Sequence, residues 1–361
     1  MASHKNQHFV PRCYLRPFTL DGENNAINLF NLDRCKEVVN APVKNQCAGD
    51  YFYGKDLKIE NALKAIEGAY ADALRIALRP GYGLLDEHRS LFRRFWLLQH
   101  MRTEAASRRS MEMMSGATGV FGSEFAASLR MELKEAVEVA MHTFVRSLNV
   151  IDDLKVVLVR NHSDVPFITS DDPAILTSRW HFHTGRARSQ SFGLGSAGAI
   201  VLLPISPEVP CVGYDGDVYS MQHDRGWVLL KRDSDVHAFN EHQFLNCWAN
   251  VYYRGADPKF IGESYARIKE LRPRARHELE MLLPIENGAG RRIYRVGGLT
   301  QAKREAQAII HWKMVHPSPA AWPSQLSWRH NGSVYTNGTA LGYVRESELA
   351  KRSHAADERR S

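Results

Sequence analysis

LKVVLVRNHSDVPFITSDDP, residues 154–173, is where the chain changes character. Leu154–Val159 and Pro166–Thr169 are short, β-branched runs. Asn161–Asp164 between them carries turn formers, so the stretch reads as a β-hairpin. Its N-terminal side is helical. Ile59, Leu63, Ile66, Tyr70 and Leu74 recur at helical spacing, and Arg79-Pro80-Gly81 ends that helix. A second helix spans about 86–109, with Leu91, Phe92, Phe95, Trp96 and Leu98 as its apolar face. A third lies within 124–148, set apart by the glycine-bearing stretch 115–122. On the C-terminal side, strands return. Ile200–Leu203 and Val209–Tyr214 are joined by Pro204-Ile205-Ser206-Pro207, then comes Trp227–Leu230, before a helix over 235–253.

Upstream of the helices, HKNQHFVPRCYLRPFT (residues 4–19) reads as an extended lead-in, because Pro11 and Pro17 keep it from being one helix. Ala26–Asn31 is a short strand and 35–55 is loop-like. Beyond Gly255 the spacing predicts helices over 263–282 and 300–314, then a strand pair around Asn331-Gly332 or Asn337-Gly338. The fold class is mixed α+β. An N-terminal helical half packs on a small, mostly antiparallel sheet in residues 1–255, and a basic α/β appendage occupies 256–361.

The chain has 361 residues, more than one hydrophobic core usually serves. No apolar run is long enough to cross a bilayer, and no apolar stretch succeeds the charges of the N-terminus, so the expected location is cytoplasmic. The five cysteines are scattered and none forms a CxxC pair, which fits reduced thiols. Of the net charge of +7, all lies in residues 256–361, with 18 Lys and Arg against 11 Asp and Glu. Such a segment is either a solvated surface or a contact for a polyanion.

Several polar residues stand where a core should be apolar. Glu67 lies beside the stripe of the first helix, and Glu60 two turns earlier can pair with Lys64. The face of the second helix runs from Phe92 and Phe95 into Gln99 and Arg102, as the wall of a polar cleft would. Asn240 shares a helix face with Val236, Phe244 and Cys247. Asp171 and Asp172 close a strand just before a proline, where carboxylates serve as metal ligands, general acids or bases, or simple turn caps. His4 and His8, and His181 and His183, have spacings that metal sites use, on a helix and a strand respectively. There is no P-loop, GxSxG, HExxH or EF-hand loop. Gly193, Gly195 and Gly198 have the wrong spacing for a dinucleotide fingerprint, so no nucleotide-cofactor motif is present.

Lys5–Pro11 with Tyr14-Leu15-Arg16 and Phe18-Thr19 resembles the opening motif of an uncharacterised, mainly bacterial family known only as a domain of unknown function (number four-two-three-eight). The similarity continues at Ile59-Glu60, Ile66-Glu67-Gly68, Gln99 with Arg102-Thr103, Phe167–Pro173, Pro204–Pro207 and Phe239-Asn240, covering about residues 4–254. Where the family more often has Asn and Leu, this chain has Asp172 and Ile205. The resemblance implies no established activity, although families of this kind often lie near mobile elements, which implies an antiviral role. It does pick out Glu67, Gln99, Arg102, Asp171 and Asn240, the same polar residues that stand in apolar company.

The leading expectation is a metal-dependent hydrolase of nucleic acid or nucleotide phosphodiesters. Glu67 and Asp171 would hold a divalent cation, Mg or Mn, with His8 as ligand or general base. Arg102 would bear on a phosphate, and Asn240 and Gln99 would orient ligands or substrate. The alternative is a non-catalytic recognition or sensor subunit of a bacterial defence system, with a protein partner, in which the same residues form a polar core network.

Overall fold

The computed structural model describes residues 5–55, 58–121, 132–184, 191–285, 293–297, 309–336 and 342–349. In chain order these form β1 (Asn6–His8), α1 (Arg12–Leu15), β2 (Ala26–Asn31), β3 (Lys36–Pro42), β4 (Ala48–Asp50), α2 (Lys58–Ala77), α3 (Asp86–Arg102) and α4 (Glu104–Phe121). Then come α5 (Leu133–Arg146), β5 (Lys155–Asn161), β6 (Thr169–Ser170), β7 (Ile175–Thr177), α6 (Arg179–His183), β8 (Ile200–Ser206), β9 (Val209–Tyr214), β10 (Tyr219–Ser220) and β11 (Trp227–Leu230). Next are α7 (Asp233–Asn246), β12 (Asn250–Tyr253) and α8 (Pro258–Ile268). The last strands are β13 (His277–Ile285), β14 (Ile293–Gly297), β15 (Ile309–Met314), β16 (Ser327–Trp328), β17 (Tyr335–Thr336) and β18 (Tyr343–Val344). The fold is mixed α+β, with mostly antiparallel sheets.

The central sheet has the order β11-β5-β9-β8-β7, antiparallel except for β11 beside β5. Its strands are largely apolar because both faces are covered. Side chains alternate across a strand. Val156, Leu158, Val201 and Leu203 meet Phe92, Phe95 and Trp96 of α3. Val157, Val159, Ile200 and Leu202 meet Val236 and Phe239 of α7. Polar bonds fix the helix α3 on the sheet: Trp96 Nε1 donates to Leu202 O at 3.1 Å and Arg93 Nη1 to Leu154 O at 2.9 Å. The helix α2 seats Tyr70 flat on Phe95, centroids 3.5 Å apart, and ends before Gly81, whose φ of +76° suits glycine. A second sheet, β3-β2-β12-β6, is antiparallel throughout.

Several expectations are corrected. The 154–169 stretch is not a hairpin: β5 pairs with β9 and β11, whereas β6 pairs with β12 in the other sheet. Asn161 turns the chain by bonding Val165 O and Ser163 N, and the chain then crosses between sheets. The 35–55 segment contains β3 and β4, held by pairing with β2 and β1. The 86–109 helix breaks at Thr103, where ψ is 158°, and α4 then runs on through 115–121 instead of stopping there. The 235–253 helix ends at Asn246, and 250–253 is strand. The 263–282 helix ends at Ile268, ahead of Pro273, and the alternating run from His277 is strand β13. Residues 309–314 pair with β13 as strand, while 301–308 lie outside the described residues. His181 and His183 sit on a short helix, not a strand, and His4 is outside the described residues. A late strand pair, β17 with β18, flanks Asn337-Gly338, itself outside the described residues.

The C-terminal third is tied into the rest. Leu326 is buried with Val236 and Phe239, Trp322 packs beside them, and Asp235 on α7 receives bonds from Ser324 N, Ser324 Oγ and Gln325 Nε2 at 2.8–2.9 Å. Arg345, almost fully buried, bonds Asp153 at 2.7 Å and reaches the carbonyls of Leu194 and Val150. Residues 315–336 and 342–349 therefore form a strap packed on residues 1–255. No helix among the described residues is long and apolar enough to cross a membrane.

Candidate functional site

The sequence-flagged polar residues fall into two groups. The first is centred on Arg102, in the last turn of α3 and 1% exposed. Its Nε donates to Tyr53 Oη at 2.8 Å, Nη1 to Glu67 Oε1 at 2.7 Å and Nη2 to His8 O at 2.8 Å. A planar guanidinium presents donors in a fixed fork, and here each of its three nitrogens has a partner. Arg102 thus clamps β1, the loop before α2, α2 and α3, which is a different task from gripping a phosphate. Glu67 is held by this clamp, and the part of His8 that takes part is its backbone carbonyl. The His8 ring nitrogen Nε2 is buried without a partner among the described residues. Gln99, one turn before Arg102, is fully buried, and neither amide atom has a partner among the described residues.

The second group surrounds β6. Asn240 holds the chain just before that strand: Oδ1 accepts from Ile168 N at 3.0 Å and Nδ2 donates to Pro166 O at 2.9 Å. Asp171 staples the turn between α7 and β12. Its oxygens accept the backbone N–H groups of Trp248, Ala249 and Asn250 at 2.7–2.8 Å, a nest of successive amides. Burial pushes its carboxyl up to about 6, while the three amides pull the other way. Glu67 and Asp171 are therefore engaged by different partners. Among the described residues no three His, Cys, Asp or Glu side chains stand together as a metal site.

The residue that joins the helical layer to the sheet is Asp172, fully buried beside Asp171. Oδ1 accepts the Thr103 hydroxyl at 2.7 Å, and Oδ2 accepts Asn246 Nδ2 at 3.1 Å and an Arg109 N–H. Thr103 in turn accepts Ala106 N at 3.1 Å and so caps α4, which explains the helix break. Ser170 and Gln243 extend the network: Ser170 Oγ donates to Gln243 Oε1 at 2.7 Å, and Gln243 Nε2 to Pro173 O at 3.0 Å. Sequence reasoning marks Asp172 as half of a pair but gives the chemistry to Asp171. It misses Thr103, Arg109, Gln243 and Asn246. The signal at hand is the polar spacing Asp235, Gln243, Asn246 on an otherwise buried helix.

Beside Asp172 lies a cavity of about 30 Å³, walled by His100, Arg109, Thr177, His242, Asn246, Arg276, His316 and apolar neighbours. On the same measure one buried water needs roughly 10–15 Å³, so the space takes a small group. His242 Nε2 and Thr177 Oγ1 are buried with no partner among the described residues. Such atoms are rare in folded proteins unless water or a ligand meets them. Burial holds His100 and His242 down at about 4 and His316 at about 3, so all three rings are neutral near pH 7. Burial, and next the charge of Arg109, hold Arg276 down at about 10. Arg276 Nη2 also donates to Leu245 O and Asn246 O, and Arg272 to Cys247 O and Trp248 O, all at 2.8–3.2 Å, capping the C-terminus of α7. With Arg345 on Asp153 and Arg329 on Asp217, several arginines of the basic third are engaged within the protein.

The model of the family described as Protein of unknown function (DUF4238) matches residues 6–257. The chain belongs to that family. The DUF4238 region holds the Arg102 clamp, the Asp171 staple, the Asp172 network and most of the cavity wall. Arg276 and His316 are contributed from beyond it. No curated protein and no solved structure matches the chain.

Proposed function

We propose that the protein is a recognition module, a sensor of a small ligand taken into the cavity between α3, α7 and the C-terminal strap. The observation that carries this reading is the composition of that wall. Two guanidiniums, three imidazoles, a threonine and an amide converge on one space, and among the described residues no carboxylate, cysteine or serine lines it. A few convergent polar groups suit binding and orientation. A divalent-cation hydrolase needs oxygen ligands around the metal. Glu67, Arg102, Asp171 and Asn240 each hold separate chain segments together, which supports the reading of them as a core network. Among the described residues of the C-terminal third, Arg272, Arg329 and Arg345 are engaged within the protein, which favours a structural part for them. In a bacterial defence system such a module would serve as sensor or partner subunit.

The test is thermal melting of wild type and His242→Phe against a panel of small anionic and polar metabolites. The expected result is a rise in Tm with a chemically related subset, absent in the variant, with the compound recovered unchanged. A ligand at 100 times its Kd stabilises by about 2.7 kcal/mol, well within reach of the assay. Turnover of the compound, or equal shifts in both proteins, would overturn the reading.

A further inference from the structure

We infer that the cavity binds inorganic phosphate in a form that still carries a proton, with Arg109 and Arg276 facing its negative oxygens and an imidazole accepting its O–H. This rests on the cavity being the recognition site. Arg109 and Arg276 line the same small space, and the fully buried carboxylate beside them, Asp172, is shared with Thr103 and Asn246. Two guanidiniums across a cavity repel each other, and an anion between them removes that repulsion. Guanidinium forks match tetrahedral oxyanions in geometry as well as charge.

The imidazoles decide which oxyanion. His100 Nδ1 lies 3.1 Å from Ala174 O and His316 Nε2 lies 2.8 Å from Phe192 O. A carbonyl accepts only a proton donor, so those nitrogens carry the N–H. In a neutral ring the other nitrogen is then a bare acceptor. Both rings are locked by stacking, His100 on Trp96 at 4.8 Å and His316 on Phe192 at 3.6 Å. Lone-pair acceptors in an anion site repel an anion that has no hydrogen to donate. Sulfate has none near pH 7, and a phosphomonoester, with its second pKa near 6, is mostly the dianion at about pH 7.5. Inorganic phosphate keeps an O–H there. Thr177 Oγ1, and His242 Nε2 in its N–H tautomer, can donate to the remaining oxygens.

The experiment is calorimetric titration of the full chain at about pH 7.5 and matched ionic strength with phosphate, sulfate and AMP. Wild type, Arg276→Gln and Thr177→Val are compared. Phosphate is expected to bind at least about tenfold tighter than sulfate or AMP, with Arg276→Gln about tenfold weaker for phosphate. Arg276 also caps α7, so Thr177→Val is the cleaner probe. Its hydroxyl has no partner among the described residues, so Tm without ligand should hold or rise while phosphate binding weakens several-fold. Equal binding of sulfate, tighter binding of AMP, or phosphate binding unchanged in both variants overturns the inference. If no oxyanion binds but another ligand does, and His242→Phe abolishes it, this inference falls and the recognition reading stands. If nothing binds in a way that His242→Phe alters, both fall.

Discussion

Replacing Arg102 with alanine is expected to cost about 3–5 kcal/mol of folding stability, read as a large drop in Tm and in the denaturant midpoint. The reason lies in what is left behind. Tyr53 Oη and the His8 carbonyl lose their charged donor and keep only the long 3.4 Å bond to each other, and an under-satisfied buried group costs about 1–3 kcal/mol. Glu67 is a quarter exposed, so water screens its loss and it adds less. Arg102→Lys restores the charge but not the fork, and should fall between wild type and alanine. Melting close to wild type for Arg102→Ala would mean that the clamp does not hold these segments, and would return Arg102 to the substrate-binding role that the sequence suggests.

Asp172→Ala is expected to be at least as damaging, again about 3–5 kcal/mol, because it breaks a buried ion pair by removing one partner. Arg109 would face Arg276 uncompensated, Thr103 would lose its acceptor, and Asn246 would keep only its 2.7 Å bond to the backbone carbonyl of residue 172. Loss of the Thr103 bond also weakens the junction between α3 and α4, so circular dichroism should show reduced helix before the main transition. Asp172→Asn keeps an acceptor for Thr103 and should cost less than alanine, in keeping with the Asn that the resembled family more often has here. An Asp172→Ala protein as stable as Asp172→Asn would show that the acceptor is unimportant, and one as stable as wild type that the charge is unimportant too.

The legible parts of the fold are those governed by local periodicity. β2 and β11 have the bounds read from their residues, and α2 follows its apolar repeat to the Arg79-Pro80-Gly81 stop. The strands β3 and β12 are hidden in the sequence because their pairing partners lie elsewhere: Val251 sits opposite Phe30, and no local pattern records that. Thr103 breaks a continuous helical pattern through one backbone angle fixed by a bond to Asp172, 69 residues away. Of the site, Glu67, Gln99, Arg102, Asp171 and Asn240 stand out as polar residues in apolar company. What they touch does not. The cavity draws His100, Thr177, His242, Arg276 and His316 from five separate segments, and no spacing rule connects them.

Whether Glu67 and Asp171 serve the fold and not a cation is tested most directly by thermal melting with EDTA, Mg²⁺ or Mn²⁺, run on wild type and Asp171→Ala. The expected result is a Tm indifferent to metal in both proteins and a sharply lower Tm for the variant, because three backbone amides lose their acceptor. A metal-induced rise in wild type that Asp171→Ala abolishes would contradict the structural role, since a cation that binds only the native state must stabilise it.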